Sequence, residues 1–234
     1  MNASQEKTRT LYHLEDFHDE PSVQQGLARK ISELYEQEKI QAVFCENYEA
    51  SPTLLDASFF INSNTYLRFL PWEKIPIYGA ESKELHKKHT DITQKLYATR
   101  KTRAVIRAKI SEKQRKADAG TAEVSDILEL QSLMDNGLKA IAQEYEQLIV
   151  DETIALISRT NYLVDYAVNV SNQNGYENIA FVCGGEHGEA IRARSEQLGF
   201  SYIAIAFQTP NPNHVSNEAF LKKLFEKKEP TEMA

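Results

Sequence analysis

Apolar residues form two different patterns along this chain, short uninterrupted runs and a helical period. Four short runs contain almost only apolar or aromatic residues: Leu11–Leu14, Ala42–Cys45, Ile179–Cys183 and Tyr202–Phe207. In Ile179–Cys183 the lack of polar alternation is typical of a strand that is buried on both faces of a parallel sheet, and the other three runs also predict strands. A shorter apolar stretch, Ile75–Ile77, precedes the helical region and predicts one further strand.

The middle of the chain has a helical period instead. From Glu81 to about Lys116, and again after Gly120, apolar residues recur every three or four positions among many charges. We therefore predict an α/β fold: a single domain, residues 1–234, with a mostly parallel central sheet flanked by helices and a long helical insertion at about residues 81–172. Helix packing alone explains the apolar positions of the insertion, but a lid, a substrate-selecting wall or a dimer interface would show the same pattern.

Chemically distinctive residues follow three of the predicted strands. His18 comes shortly after the first strand, Glu46 directly after the second, and His187 after the glycine-rich turn that ends Ile179–Cys183. Ligands of open α/β sheets collect at the carboxyl ends of the strands, so these groups are expected to converge. Imidazole nitrogens with a carboxylate suit a divalent metal (zinc, manganese or cobalt), and an open coordination position suits a hydrolase.

Five further residues complete the predicted site. Glu186 or Asp16 is the candidate general base, and Arg159 is the candidate electrostatic support for a developing oxyanion. Gly184 and Gly185 form the turn before His187 and are candidates for contact with a bound cofactor. An ordinary salt bridge would explain Arg159 equally well.

The same positions resemble a known group of proteins. Gly184–His187 is similar to the G-x-x-H motif of the TraB, Tiki, erythromycin-esterase and ChaN-like superfamily, and Glu15–Asp19 occupies the place of its first such motif. Glu46 stands at its strand-end glutamate, Tyr78–Glu81 resembles its Y-G-x-E motif, and Arg159–Asn161 is a weaker match to its R-N motif. The order of these pieces covers the chain from about residue 10 to 207.

This resemblance implies a fold more firmly than a function. Tiki-like members are metal-dependent proteases, the esterase branch uses a histidine as a base, and ChaN-like members bind haem. The chain is accordingly expected to be a metal-dependent peptidase, amidase or esterase, with a metal-free histidine-dependent esterase or a noncatalytic haem-binding or small-ligand-binding protein as alternatives. Glu15 stands where the family has glycine, which places a bulky acid at an expected turn and leaves a modified or noncatalytic site possible.

Net charge and the lack of long apolar segments limit the classes of partner that we expect. A net charge of -7 argues against nonspecific binding of nucleic acid or of anionic membranes. No apolar stretch approaches the roughly 20 residues of a membrane span, and the first residues have no signal-peptide core, so we expect a cytoplasmic protein. The expected partners are a small-molecule or peptide substrate and, through the helical insertion, a second copy in a homodimer.

A few other residues could carry chemistry. Cys45 and Cys183 could approach one another if their strands are neighbours, although burial as small apolar residues explains them better. His86 and His89 share a helix face, but the neighbouring lysines disfavour a cation there. His214 lies in a loop rich in proline and asparagine that could overhang the site.

Overall fold

The computed structural model describes residues 9–16, 21–56, 65–71 and 73–207. It contains a five-stranded sheet in the order β3-β2-β4-β1-β5, and every neighbouring pair of strands is parallel. The strands are β1 (Arg9–Asp16), β2 (Ala42–Glu49), β3 (Ile77–Glu81), β4 (Asn178–Gly184) and β5 (Phe200–Ile205). The helices are α1 (Pro21–Glu36), α2 (Lys83–Asp118), α3 (Val124–Ser132), α4 (Lys139–Asn174) and α5 (Gly188–Gln197), with a π-helical segment (Leu133–Leu138) between α3 and α4. The predicted α/β class with a parallel sheet flanked by helices is confirmed.

Helices cover both faces of the sheet. On one face, Leu27 and Ile31 of α1 pack in an apolar cluster with Val43 and Cys45 of β2. On the other, the last part of α4 contributes Leu163, Val164 and Ala167 to a second cluster, together with Phe44 and Phe181. Neighbouring β2 residues enter different clusters because successive side chains of a strand point to opposite faces. This two-sided burial explains the uninterrupted apolar runs of β2 and β4, whereas most of β5 is exposed or half-buried, with Ile203 42% exposed.

The chain divides into two compact units. One consists of Met1–Ser82 with Thr160–Ala234 and holds the sheet, and the other is the helical unit Lys83–Arg159. The helices that follow β3 begin at Lys83 and end at Asn174, and the boundary between the units falls within α4. No helix in the described part of the chain is long and apolar enough to cross a membrane.

Charge pairs join the helices of the helical unit. Lys113 of α2 lies 2.9 Å from Asp126 and 2.6 Å from Glu129 of α3. Further along, the Thr99 hydroxyl donates a hydrogen bond of 3.3 Å to Glu144 of α4. Part of the positive charge of the lysine-rich α2 is thus matched by carboxylates of the same unit.

We predict that Gly79→Ala destabilises the sheet. A Cβ at Gly79 in β3 would lie 2.4 Å from the carbonyl oxygen of Glu49 and 2.7 Å from that of Tyr48, so the backbone of β2 must move. Overpacking of this kind lowers the free energy of unfolding by about 1–3 kcal/mol, which urea denaturation would measure. Gly137→Ala is the matched control, because its Cβ would lie 3.8 Å from Ile106, at ordinary contact distance. Equal stability of the two variants would contradict the crowding at Gly79.

Candidate functional site

Glu46 and His187 meet at the carboxyl edge of the sheet. Glu46 belongs to β2, and His187 follows β4 in a short 3-10 turn, Gly185–His187. Since β2 and β4 are neighbours, these two segments are brought together, and His187 Nε2 lies 3.3 Å from Glu46 Oε1. The backbone N–H of Gly184 donates a hydrogen bond of 2.9 Å to Glu46 Oε2. His187 is 0% and Glu46 7% exposed, so the pair is buried.

An irregularity in β2 accompanies Glu46. The pairing of β2 with β3 shifts register between Cys45 and Glu49, and Asn47 has a positive φ of 68°. Asparagine tolerates this left-handed conformation better than most residues with a side chain. Irregularities of this kind bend a strand and re-aim the adjacent side chains, often next to functional sites. Asn47 thus permits β2 to depart from regular pairing with β3 directly after Glu46.

Thr160 fixes the other side of the His187 ring. The Thr160 hydroxyl oxygen lies 2.6 Å from His187 Nδ1, and both side chains are buried. Two tautomers satisfy this contact: either Nδ1–H donates to the hydroxyl oxygen, or the hydroxyl donates to Nδ1. In the first case the lone pair of Nε2 faces the Glu46 carboxylate.

His187 Nε2 has no hydrogen-bond partner within the described residues. Its separation from Glu46 Oε1 is short enough for an ion pair, but the two atoms do not form a hydrogen bond. A buried polar atom without a hydrogen bond calls for an explanation.

The arrangement of the pair fits two ligands of one metal ion. Ligand bonds of about 2.0–2.2 Å in tetrahedral geometry place a nitrogen and an oxygen ligand about 3.3 Å apart, which matches the separation of Nε2 and Oε1. The third predicted ligand, His18, lies outside the described residues. Within them, no group of three or more histidine, cysteine, aspartate or glutamate side chains is arranged to hold a metal.

The structure places the two candidate bases differently. Asp16 ends β1, and its Oδ1 accepts a hydrogen bond of 2.5 Å from Gln24 of α1. It lies two residues after Leu14 and so points to the face of the sheet that α1 covers. Glu186 is exposed, and its carboxylate folds back over Gly184, where a Cβ would lie 2.8 Å from Oε2. Glu186 therefore lies beside the residue whose N–H holds Glu46.

Glu15 does not lie at a turn, contrary to our expectation. It is inside β1, paired with Cys183 of β4, and positive φ among the described non-glycine residues occurs only at Glu38 and Asn47. Extended backbone accepts any side chain, so the position does not require glycine. The Glu15 carboxylate runs alongside Gly185, where a Cβ would lie 3.4 Å from Oε2.

Arg159 is the last residue of the helical unit and immediately precedes Thr160. Its side chain is almost fully buried. Its role as electrostatic support for Glu46 or an oxyanion stays a prediction.

His13 is a buried histidine that sequence reasoning did not select. Its Nδ1 lies 2.9 Å from the Tyr202 hydroxyl and its Nε2 lies 3.3 Å from Cys183 Sγ. Burial lowers the pKa of His13 to about 4; a hydrogen bond with the Cys183 backbone opposes this shift, and the nearby His187 adds to it. Burial also raises the pKa of Tyr202 to about 12, so both groups are neutral near pH 7. The sequence did contain one signal for this residue, because His13 is the polar residue within the apolar run Leu11–Leu14.

The remaining candidates are two cysteines and the histidines of two other segments. Neither Cys45 nor Cys183 forms a disulfide bond, and the two pack in clusters on opposite faces of the sheet, so they do not approach each other. His89 Nε2 lies 3.4 Å from Glu152 Oε1 within the helical unit. His214 lies outside the described residues.

Comparison with known proteins adds little to this site. No protein-family model and no curated protein matches the chain. A solved Bacillus cereus protein is similar at 12% identity with a TM-score of 0.42, over 86% of this chain and 66% of its own. A solved succinoglycan biosynthesis protein is similar at 14% identity with a TM-score of 0.39, over 85% of this chain and 65% of its own. With TM-scores below 0.5, these likenesses carry no argument about family or function.

We predict that neutral His13 makes stability depend on pH. The folded pKa is about 4 and the ordinary value is 6.5, so on acidification the unfolded state takes up the proton first. This contribution to stability is complete above about pH 6.5 and is lost as the pH falls to 4, by at most about 3 kcal/mol.

Urea denaturation between pH 7 and 4 would measure this effect. The free energy of unfolding should fall less steeply with acidification in His13→Gln than in the wild type. His89→Gln, in the helical unit, should keep the wild-type slope. An NMR titration that finds the His13 imidazole protonating near pH 6.5 would contradict the assignment.

Proposed function

We propose that this protein is a metal-dependent hydrolase of peptide, amide or ester bonds, with its metal at the carboxyl edge of the sheet. The proposal rests mainly on one observation: the buried Nε2 of His187 lies 3.3 Å from Glu46 Oε1 and has no hydrogen bond within the described residues. The resemblance of the strand-end motifs to the TraB, Tiki and erythromycin-esterase group supports the same class.

A cation between these atoms would remove an electrostatic conflict. If Nδ1 donates to Thr160, the lone pair of Nε2 and the carboxylate of Glu46 face each other in a buried setting, which is costly without a positive charge. A divalent ion such as zinc, manganese or cobalt suits this nitrogen and oxygen donor pair. His187 and Glu46 would hold the ion, with His18 as the proposed third ligand.

Other residues of the site would orient these ligands. The Thr160 hydroxyl would fix the ring of His187, and the N–H of Gly184 would orient the carboxylate of Glu46. Such outer contacts set ligand orientation and commonly change metal affinity by 10- to 100-fold. A bound metal supplies polarisation of a carbonyl group and a lowered pKa of water.

Glu186 is our preferred general base. Its carboxylate is exposed beside Gly184, so it can exchange protons with solvent and with a substrate. Asp16 is the second choice, because Gln24 restrains it on the α1 face of the sheet. Arg159 remains the proposed electrostatic support.

Two alternatives use the same residues differently. A metal-free esterase would need Nε2 of His187 as a base, and the facing carboxylate of Glu46 could stabilise the protonated ring. A haem-binding protein would use His187 or His18 as an axial ligand. The complete burial of His187 favours a small ion over a macrocycle at that residue.

Metal content is the first test of this proposal. We expect protein purified without a metal-binding tag to contain about one equivalent of a transition metal. His187→Ala and Glu46→Gln should each lose it, because each removes a ligand, and His18→Ala should lose it if His18 is the third. Elemental analysis with circular dichroism of each variant would measure content and folding.

The double variant His86→Ala, His89→Ala is the matched control for adventitious binding, and it should keep the metal. A wild-type protein that stays metal-free after incubation with zinc, manganese and cobalt would refute the metal site. Haem titration followed by visible absorption would then test the ligand-binding alternative.

We predict that Glu186→Gln impairs turnover and leaves the metal in place. Loss of a general base typically lowers turnover by 10²- to 10⁴-fold, whereas Glu186 is not a proposed ligand. The measurement is hydrolysis of a panel of peptide and ester substrates by the metal-loaded protein. The neighbouring exposed acid provides the control, since Glu189→Gln should retain wild-type turnover. Full activity of Glu186→Gln would contradict its role as general base, and Asp16 would then be the remaining candidate.

A further inference from the structure

Exposed large apolar side chains form two groups along the continuous helices of the helical unit, one from Val124 to Met134 and one from Val150 to Ile157, and we call the two groups together the apolar stripe. Val150, Ile154 and Ile157 are spaced four and three residues apart, so they share one face of α4. The opposite face of α4 carries the buried Ile141 and Ala155. The exposed side chains of the stripe are Val124, Ile127, Leu128, Met134, Val150, Ile154 and Ile157.

A helix with apolar residues on two faces is normally covered on both. A row of exposed large apolar side chains marks an interaction surface more often than single exposed residues do. We propose that a second copy of this chain covers the stripe, in an antiparallel, two-fold symmetric pairing of the helices from Val124 to Ile157. This inference does not depend on the proposed hydrolase activity.

The stripe has the symmetry that such a pairing requires. Ile127 with Ile157, Leu128 with Ile154, and Met134 with Val150 form three pairs, each centred on residue 141 or 142. In an isologous interface, residue i of one copy contacts residue j of the other, and j contacts i. A two-fold axis beside residues 141–142 would therefore bring the members of every pair together across the interface.

The helices have the continuity and length for this contact. α3, the π-helical segment and α4 follow one another without a gap, so Val124 and Ile157 lie about 50 Å apart at 1.5 Å per residue. With a helix width of about 10 Å, contact along this length covers about 500 Å² of each copy. Two copies would together bury the roughly 1,000 Å² that a specific interface needs.

Charged residues near the centre select the antiparallel direction. Lys139 and Glu146 are both exposed and are also centred near residue 142. In the antiparallel pairing, Lys139 faces Glu146 of the partner subunit, and the symmetry repeats this contact. In a parallel pairing in register, lysine would face lysine and glutamate would face glutamate. Charge complementarity of this kind sets the orientation of paired helices.

Measuring the oligomeric state tests whether two copies pair through the apolar stripe. Light scattering and sedimentation over a range of concentrations should give the mass of two chains for the wild type and of one chain for Ile154→Glu. Val105→Glu is the matched control, because Val105 is 55% and Ile154 56% exposed, and Val105 lies on α2 outside the stripe. This control should remain a dimer, and circular dichroism should show unchanged helix in both variants.

Two charge variants test the antiparallel direction. Lys139→Glu should weaken the dimer about tenfold, since it creates two like-charge contacts worth somewhat under 1 kcal/mol each. Adding Glu146→Lys to it should restore the wild-type dissociation constant. A monomeric wild type, or a dimer unaffected by Ile154→Glu, would overturn the proposal. A dimer that Lys139→Glu does not weaken would overturn its antiparallel register.

Discussion

Parallel pairing of all five strands is the constraint on which the rest of this structure depends. It places the carboxyl ends of β1, β2 and β4 at one edge of the sheet, although these strands lie far apart in the chain. Glu46 and His187 come together there because β2 and β4 are neighbours. An antiparallel arrangement of the same two strands would send these groups to opposite edges.

The polar groups near this edge are held by several different elements. α4 supplies Thr160 to the ring of His187, β4 supplies the N–H of Gly184 to Glu46, and β5 supplies Tyr202 to His13. Buried polar groups are costly unless they are paired, so this set depends on the whole first unit being folded. The fold itself thus holds the polar groups of this edge in place, and Nε2 of His187 has no hydrogen bond in the described part of the chain.

The helical unit is organised on a different physical basis. Its helices are joined by charge pairs such as Lys113 with Asp126, and much of its surface is polar. These pairs are partly or largely exposed, so each stabilises the unit only weakly. The exposed apolar side chains of the stripe therefore differ from these charged positions. Self-association would give this unit the apolar burial that its own packing supplies only in part.

The sequence by itself determined the element types, because uninterrupted apolar runs and a helical period of 3.6 are local properties of the chain. It also predicted that Glu46 and His187 converge, since Glu46 directly follows one apolar run, His187 follows the turn after another, and the carboxyl ends of parallel strands share an edge. Tertiary structure alone decided which side chains support them. His13 is an ordinary strand residue until Tyr202 and Cys183 surround it, and Thr160 becomes a partner of His187 only when α4 packs on the sheet. Likewise, the sequence predicted Glu15 at a turn, and only its pairing with Cys183 of β4 places it within β1. These contacts join residues that are distant in sequence, so no spacing rule encodes them.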